Sequence, residues 1–317
     1  MKQNLLVTGG AGFIGSNLAE SLVEQGHQVT VLDNFVAGTP ENVSAFQNKD
    51  NFKLVKGDVA DRDLIDKVTQ GIDAIFHLAA RIHVDESRNK TLEYFETNIK
   101  GTVNILDMAL KNNVKKVIFA SSSEVYGTCI QSPMNENHPL MPRSPYAASK
   151  AAADRICFAY YSTFGQDVTI VRNFNTFGPR QRSNSGGGVV AIFTDRVMNN
   201  LPPKIFGDGT QSRDYMYVED AVQAYNLVFS KNKLKGEAVN FGSGRDISLN
   251  EIADKVIEFC GKTGLKPEYT AGRPGEVLKF CADFSKASKA LGFKPKYTFE
   301  EGLKKYIEWF KNRSAMK

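Results

Sequence analysis

Little in this chain suggests metal binding, disulfide bonding or membrane insertion. Cysteine is scarce: Cys129, Cys157, Cys260 and Cys281 are the only four, and no two stand at a C-x-x-C spacing. That excludes the usual thiolate zinc patterns, and a chain of 317 residues has no need of a disulfide framework, so no metal site and a reducing, cytoplasmic setting are expected. No apolar run reaches membrane-spanning length, and the chain passes from Met1 and Lys2 directly into a strand pattern, so neither a membrane partner nor secretion is expected. Internal repeats and low-complexity tracts are absent as well. Charge is not concentrated: the net value is +5, and the basic pairs Lys115–Lys116 and Lys304–Lys305 sit inside amphipathic segments. These pairs read as solvated faces, and no nucleic-acid partner is expected.

What is present is a hydrophobic content of 42%, sufficient for a full core. Short β-rich runs at 4–8, 29–32, 52–56, 74–78, 116–121 and 168–172 alternate with longer helical patterns such as 13–25 and 94–112. That alternation predicts an α/β fold, a Rossmann-type doubly wound parallel sheet with helices on both faces. Beyond residue 172 glycine and proline break the chain into shorter elements. We therefore expect a dinucleotide-binding domain over 1–174 and a smaller α/β substrate domain over 175–317, with 213–231 packing back on the first.

The first strand runs into Gly9-Gly10-Ala11-Gly12-Phe13-Ile14-Gly15 and then into a helix. Glycines at 9, 12 and 15 permit a tight turn and let backbone N–H groups approach a pyrophosphate at the helix N-terminus. The spacing G-x-x-G-x-x-G differs from G-x-G-x-x-G, but the strand-to-helix context is the required one. The second run ends at Asp33, where a carboxylate can accept both adenine-ribose hydroxyls and repel a 2′-phosphate, so the expected cofactor is NAD. Asp58, after the third run, is placed to meet the adenine. Phe13, Ile14, Asn34 and Val59 complete that expected pocket.

Tyr146 and Lys150 stand one helical turn apart in Ser144-Pro145-Tyr146-Ala147-Ala148-Ser149-Lys150. Their side chains would share a face, and a nearby ammonium would draw the phenol toward neutral titration and make it a base. Serines 121–123 follow the fifth run, at the strand end where a hydroxyl can hold the oxygen that Tyr146 deprotonates.

Together these motifs resemble the extended short-chain dehydrogenase/reductase superfamily, the nucleotide-sugar epimerases and dehydratases. The resemblance rests on residues 8–15, His77-Leu78-Ala79-Ala80, Asn98, Ser122, Tyr146, Lys150, the run Asn173-Phe174-Asn175-Thr176-Phe177-Gly178-Pro179-Arg180, and Gly207-Asp208-Gly209 followed by Arg213-Asp214-Tyr215. It implies Ser122, Tyr146 and Lys150 as the catalytic set, with Tyr146 and Lys150 also touching the cofactor beside Leu78, Ala79, Ala80 and Asn98. It further implies a nucleotide-diphosphate sugar as substrate, bound by Ser123, Asn175, Val189, Arg213 and Arg273, and a homodimer joined through helices at 94–112 and 147–163. Arginine forks suit diphosphate oxygens, and Arg180, Arg213 and Arg273 all fall in loop-like segments.

The shared first step would be oxidation of the sugar at C4. A 4-epimerase then returns the electrons to the other face of the ketone; a 4,6-dehydratase needs a C5 base and an acid for the 6-hydroxyl. Glu124 stands where the resembled dehydratases and glucuronate decarboxylases carry a glutamate, and is otherwise a carboxylate bonding sugar hydroxyls. Whole-chain similarity weighs toward a UDP-hexose 4-epimerase. The alternatives are a 4,6-dehydratase with Glu124 as C5 base, a decarboxylase, and an NAD-binding protein without turnover.

Overall fold

A computed structural model describes residues 2–184, 187–272 and 279–315. Its strands are β1 (Asn4–Thr8), β2 (Gln28–Asp33), β3 (Phe52–Lys56), β4 (Ala74–His77), β5 (Lys116–Ser122), β6 (Val168–Asn173), β7 (Asn175–Phe177), β8 (Lys204–Phe206), β9 (Ser212–Tyr217), β10 (Ala238–Phe241), β11 (Asp246–Ser248) and β12 (Glu268–Thr270). Seven of them form one parallel sheet in the order β10-β6-β5-β4-β1-β2-β3. The order reverses beside β1, so the carboxyl ends of β1, β4 and β5 open on the crevice where doubly wound sheets bind ligands.

The strands read as unbroken apolar runs because both faces are covered. In β1, Leu5 and Val7 pack with Leu18 and Leu22 of the helix Phe13–Glu24 and with Ala224 and Val228 of the helix Val218–Ser230. Leu6, between them, points the other way, into a layer built from the helices Arg62–Thr69, Gly101–Lys111 and Pro145–Phe164. Each such side chain, fully buried, contributes about 1.5–3 kcal/mol of transfer free energy.

A separate core joins β9 and β11 to the helices Val189–Met198, Leu249–Phe259 and Phe299–Ala315, around Val190, Phe193, Ile252, Val256 and Leu303. The chain does not divide in sequence order between the two cores. The helix Val218–Ser230 lies against Phe13–Glu24, and β10 extends the first sheet past β6. The helical pattern at 94–112 is likewise not one regular helix. It consists of Thr91–Phe95, a π turn at Glu96–Lys100, and Gly101–Lys111. Among the described residues no helix is long and apolar enough to cross a membrane, and no group of three or more His, Cys, Asp or Glu is placed to hold a metal ion.

Candidate active site

The glycine loop is shaped by contacts that allow no side chain. Gly9 has φ +69°, and a Cβ there would lie 2.7 Å from the backbone nitrogen of Ala79, in the segment after β4. A Cβ on Gly15 would lie 2.1 Å from the Gly9 carbonyl oxygen. The helix Phe13–Glu24 begins at Gly12 with no side-chain cap and no acidic residue in its first turn, so its leading N–H groups remain available to an anion. Ile14 packs against the core of the first sheet and Phe13 against the second core.

Asp33, at the end of β2, is 6% exposed. Its oxygens accept from the N–H groups of Ala11 (2.9 Å) and Phe35 (2.8 Å). Burial raises its pKa, and those two bonds and the charge of Arg182 oppose the rise. Asn34 donates to Asp58 at 2.7 Å, and Asp58 also accepts from Ala60 N–H, while Val59 is buried behind them. On the other side of β1, the N–H groups of Leu78 and Ala79 donate to the carbonyl and hydroxyl oxygens of Thr8 at 3.0 and 3.3 Å, and Ala80 follows in the same segment.

The reactive end lies on β5 and the helix Pro145–Phe164. Ser144 caps that helix by accepting from Ala147 N–H, with Pro145 in the first turn, and so fixes where Tyr146 and Lys150 enter the cleft. Tyr146 is 8% exposed. Burial pushes its phenol up to about 12, the Ser122 hydroxyl acting as hydrogen-bond partner pulls it down, and the Glu124 charge pushes it up again. Lys150 is brought down to about 8 by burial. Its ammonium donates to the Ala120 carbonyl of β5 and lies 4.4 Å from the centre of the Phe119 ring. The sequence expectation is a lowering by the lysine charge together with the nicotinamide of bound NAD; of the influences the protein itself exerts on the phenol, burial is the largest, and it acts upward.

Ser122 ends β5 and accepts the Glu124 N–H at 3.2 Å, opening the short turn Ser123–Tyr126. Glu124 has a raised pKa through burial, opposed by Arg213. Arg213, on β9, stacks 5.0 Å from the Phe280 ring and donates to the Ser212 carbonyl. Ser122, Glu124, Tyr146 and Arg213 are therefore brought to one place. Ser123 is 3% exposed. Asn175 pairs with Tyr215 across β7 and β9, and Val189 begins the helix Val189–Met198. Arg273 lies outside the described residues. Arg180 pairs with Glu20 at 2.6 Å through Nη2, and its buried Nη1 has no hydrogen-bond partner among the described residues.

Asn98, in the π turn, has its amide engaged by protein. It accepts from Arg81 N–H (2.8 Å) and donates to the Arg81 carbonyl (3.0 Å) and the Ser149 hydroxyl (2.8 Å). Ser149 in turn donates to the Tyr146 carbonyl, so Asn98 ties the segment after β4 to the helix that carries Tyr146.

Sequence reasoning gave no role to three buried groups. Asp214, beside Arg213, accepts from Ser243 N–H and hydroxyl (both 2.7 Å), Gly244 N–H (2.8 Å) and Ala282 N–H (3.1 Å), and so sets β9 against two distant loops. Asp154 and Arg172 form a buried pair under β5. The signal for both was a charged residue inside an apolar run.

His77 is the third. The Thr102 hydroxyl donates to the Asn98 carbonyl, so His77 Nε2 donates to Thr102 (3.1 Å) and Nδ1 accepts from Thr8 (2.7 Å). Burial, and then the Lys150 charge, bring its pKa down to about 3 from 6.5. The unfolded chain therefore binds more protons below pH 6.5, and stability falls as acid is added from 6.5 toward 3. At pH 5 the expected loss is about 2 kcal/mol. Melting curves at pH 7 and pH 5 test this: His77→Asn should flatten the drop, and an equal drop in parent and variant contradicts it.

A doubly wound sheet with a glycine loop at β1 and a serine, tyrosine and lysine at the carboxyl end of β5 defines the short-chain dehydrogenase/reductase class. Comparison with known proteins narrows the class. The family described as GDP-mannose 4,6 dehydratase matches residues 6–306. The UDP-glucose 4-epimerase of Mycolicibacterium smegmatis is 36% identical over 98% of this chain and 99% of its own. Among solved structures, the UDP-glucose 4-epimerase of Thermotoga maritima with UDP-glucose superposes with a TM-score of 0.93 at 35% identity, covering 99% of this chain and 100% of that one. The dTDP-glucose 4,6-dehydratase DesIV of Streptomyces venezuelae, with NAD bound, superposes at 0.92 and 32% identity, covering 99% and 98%. The chain belongs to the extended short-chain dehydrogenase/reductase family of nucleotide-sugar epimerases and dehydratases.

Proposed function

We propose that this chain binds NAD along the carboxyl edge of its sheet and interconverts a UDP-hexose and its C4 epimer through a 4-keto sugar. The residues fit the cofactor: a loop closed to any Cβ and an uncapped helix N-terminus suit a diphosphate, and the buried Asp33 suits ribose hydroxyls. Gly9, Gly12 and Gly15 would hold the diphosphate, Asn34, Asp58 and Val59 the adenine side, and Leu78, Ala79, Ala80 and Lys150 the nicotinamide side. When bound, NAD supplies the two-electron acceptor and donor for the sugar's C4 and a positive ring charge beside the phenol.

The chain's own part is proton transfer and positioning. Ser122 holds the 4-oxygen, Tyr146 takes its proton and later gives it back, and the Lys150 ammonium favours the phenolate while the proton is away. Arg213, with Asn175, Val189 and Arg273, binds the substrate diphosphate.

The observation that supports the epimerase reading is similarity along the whole chain to UDP-glucose 4-epimerases, 36% identity over 98% of it and a TM-score of 0.93 over 99%. Dehydration needs in addition a base for C5 and an acid for the 6-hydroxyl, and Glu124 is the carboxyl beside Tyr146 that could serve. Epimerisation needs no group beyond Tyr146. A second reading, 4,6-dehydration, is favoured by the raised pKa of Glu124, which suits a single carboxyl cycling between base and acid. Incubation with UDP-glucose, and separately with UDP-N-acetylglucosamine, tests the choice. We expect a C4 isomer, and Glu124→Gln retaining turnover within about tenfold. A 4-keto-6-deoxy product absorbing in base, with turnover abolished in that variant, establishes dehydration instead.

The exposed Phe95, Phe158 and Tyr161 lie in the segments 94–112 and 147–163 expected to pair two copies, which supports a homodimer. Sedimentation velocity should give twice the chain mass; the mass of a single chain contradicts it.

A further inference from the structure

The glycine loop lies at the end of β1, between β2 and β4 in the sheet. A segment of the second half of the chain crosses back to it. After β7 the chain passes Gly178 and Pro179 and runs along the helix Phe13–Glu24. Asn17 donates to the Pro179 carbonyl (3.2 Å), and Arg180, with φ +72°, pairs with Glu20. These two contacts fix where the next residues emerge.

Two positions on is Arg182. Its Nη2 donates to the Val36 carbonyl at 3.2 Å, three residues past the end of β2. The same guanidinium charge is felt at Asp33, at the end of β2, and at His83, in the segment beyond β4. The bond to Val36 seats the guanidinium on the segment after β2, and that segment packs on the glycine loop, where Thr39 N–H donates to the Ala11 carbonyl at 3.0 Å. Asp33, which accepts the N–H groups of Ala11 and Phe35, makes no hydrogen bond to Arg182 among the described residues. Among the described residues its side chain makes a single hydrogen bond, at an exposed carbonyl. Four of its five donors thus have no hydrogen-bond partner among those residues.

We propose that Arg182 is a ligand of the dinucleotide's diphosphate, delivered across the cleft from the second half of the chain. The glycine loop then binds one side of the diphosphate through backbone N–H groups, and the Arg182 fork binds the other. The Arg180–Glu20 pair acts as the bolt that positions it. This inference rests on the dinucleotide reading above.

Titration calorimetry on the purified protein, Arg182→Gln and Arg182→Lys, with NAD, NADP and UDP as separate probes, tests it. Arg182→Gln should weaken NAD about tenfold, the scale of one charge-assisted bond, and leave UDP within about twofold and the unliganded melting temperature unchanged. If the glutamine variant does not fold, Arg182→Lys carries the comparison, with a smaller loss for NAD alone. An NAD affinity equal to the parent's overturns the proposal, as does a loss confined to UDP, which assigns Arg182 to the substrate, or to NADP, which assigns it to a 2′-phosphate. A parent protein that binds no NAD overturns the dinucleotide reading itself.

Discussion

Tyr146→Phe is expected to lower turnover of the nucleotide sugar by about a thousandfold while NAD still binds with the parent's affinity. The proposed path for the proton of the 4-hydroxyl runs through this phenol, to which Ser122 is hydrogen-bonded. Ser122 is an ordinary hydroxyl, and the Lys150 ammonium is turned toward the Ala120 carbonyl. Removing the hydroxyl removes the proton path and leaves the ring, which packs edge-on against Tyr94 at 6.5 Å. The fold should be indifferent to the loss. Steady-state turnover alongside calorimetry with NAD measures both quantities; a variant within tenfold of the parent places the acid–base role elsewhere.

Asp154→Ala is expected to destabilise the fold by about 3–5 kcal/mol, because it strands a buried cation. Arg172 is 2% exposed, and its fork meets Asp154 at 2.9 and 3.0 Å. Ser121 donates to the same carboxylate at 2.8 Å, and Arg172 donates onward to the Tyr126 hydroxyl at 3.0 Å, which donates to Asn240 at 2.6 Å. The network thus joins β5, the helix carrying Tyr146, β6 and β10. Truncating the acid leaves Arg172 charged with only neutral partners, and a melting-temperature drop of about 5–8 °C follows. Replacing both partners, Asp154→Leu with Arg172→Met, should recover most of the loss, since desolvation of the pair disappears with it. Equal melting temperatures for Asp154→Ala and the parent would mean that the pair is not the tie between these elements.

The contrast between these two residues explains what the sequence could and could not reveal. Gly9, Gly12, Gly15 and the Tyr146–Lys150 pair are legible because their meaning is local: a spacing within one turn or one loop states the geometry. Asp33 is legible because a strand must end where its acid appears. Asp154 reads as one more helix carboxylate, since its partner Arg172 lies on another strand. Asp214 is opaque for the same reason, its donors coming from Ser243, Gly244 and Ala282. The π turn that aims Asn98 leaves the apolar spacing of 94–112 almost unchanged. β10 offers only four residues, too few to announce that they extend the first sheet. Burial is the other hidden quantity. It places Tyr146 at about 12 and His77 at about 3, and no neighbour in sequence discloses either. At Arg180 the sequence shows a fork suited to phosphate but not its partner Glu20, which lies on the distant helix Phe13–Glu24.

The central claim is that electrons leave the sugar at C4 and return to the same molecule inside a closed site. Its most direct test uses UDP-glucose carrying deuterium at C4, or the corresponding UDP-N-acetylglucosamine if that is the substrate turned over, incubated in ordinary water and analysed by mass spectrometry and NMR of the recovered sugar. The account predicts that the label is retained, at C4 of the epimer. Deuterium lost to solvent, with product formed at the normal rate, would contradict it.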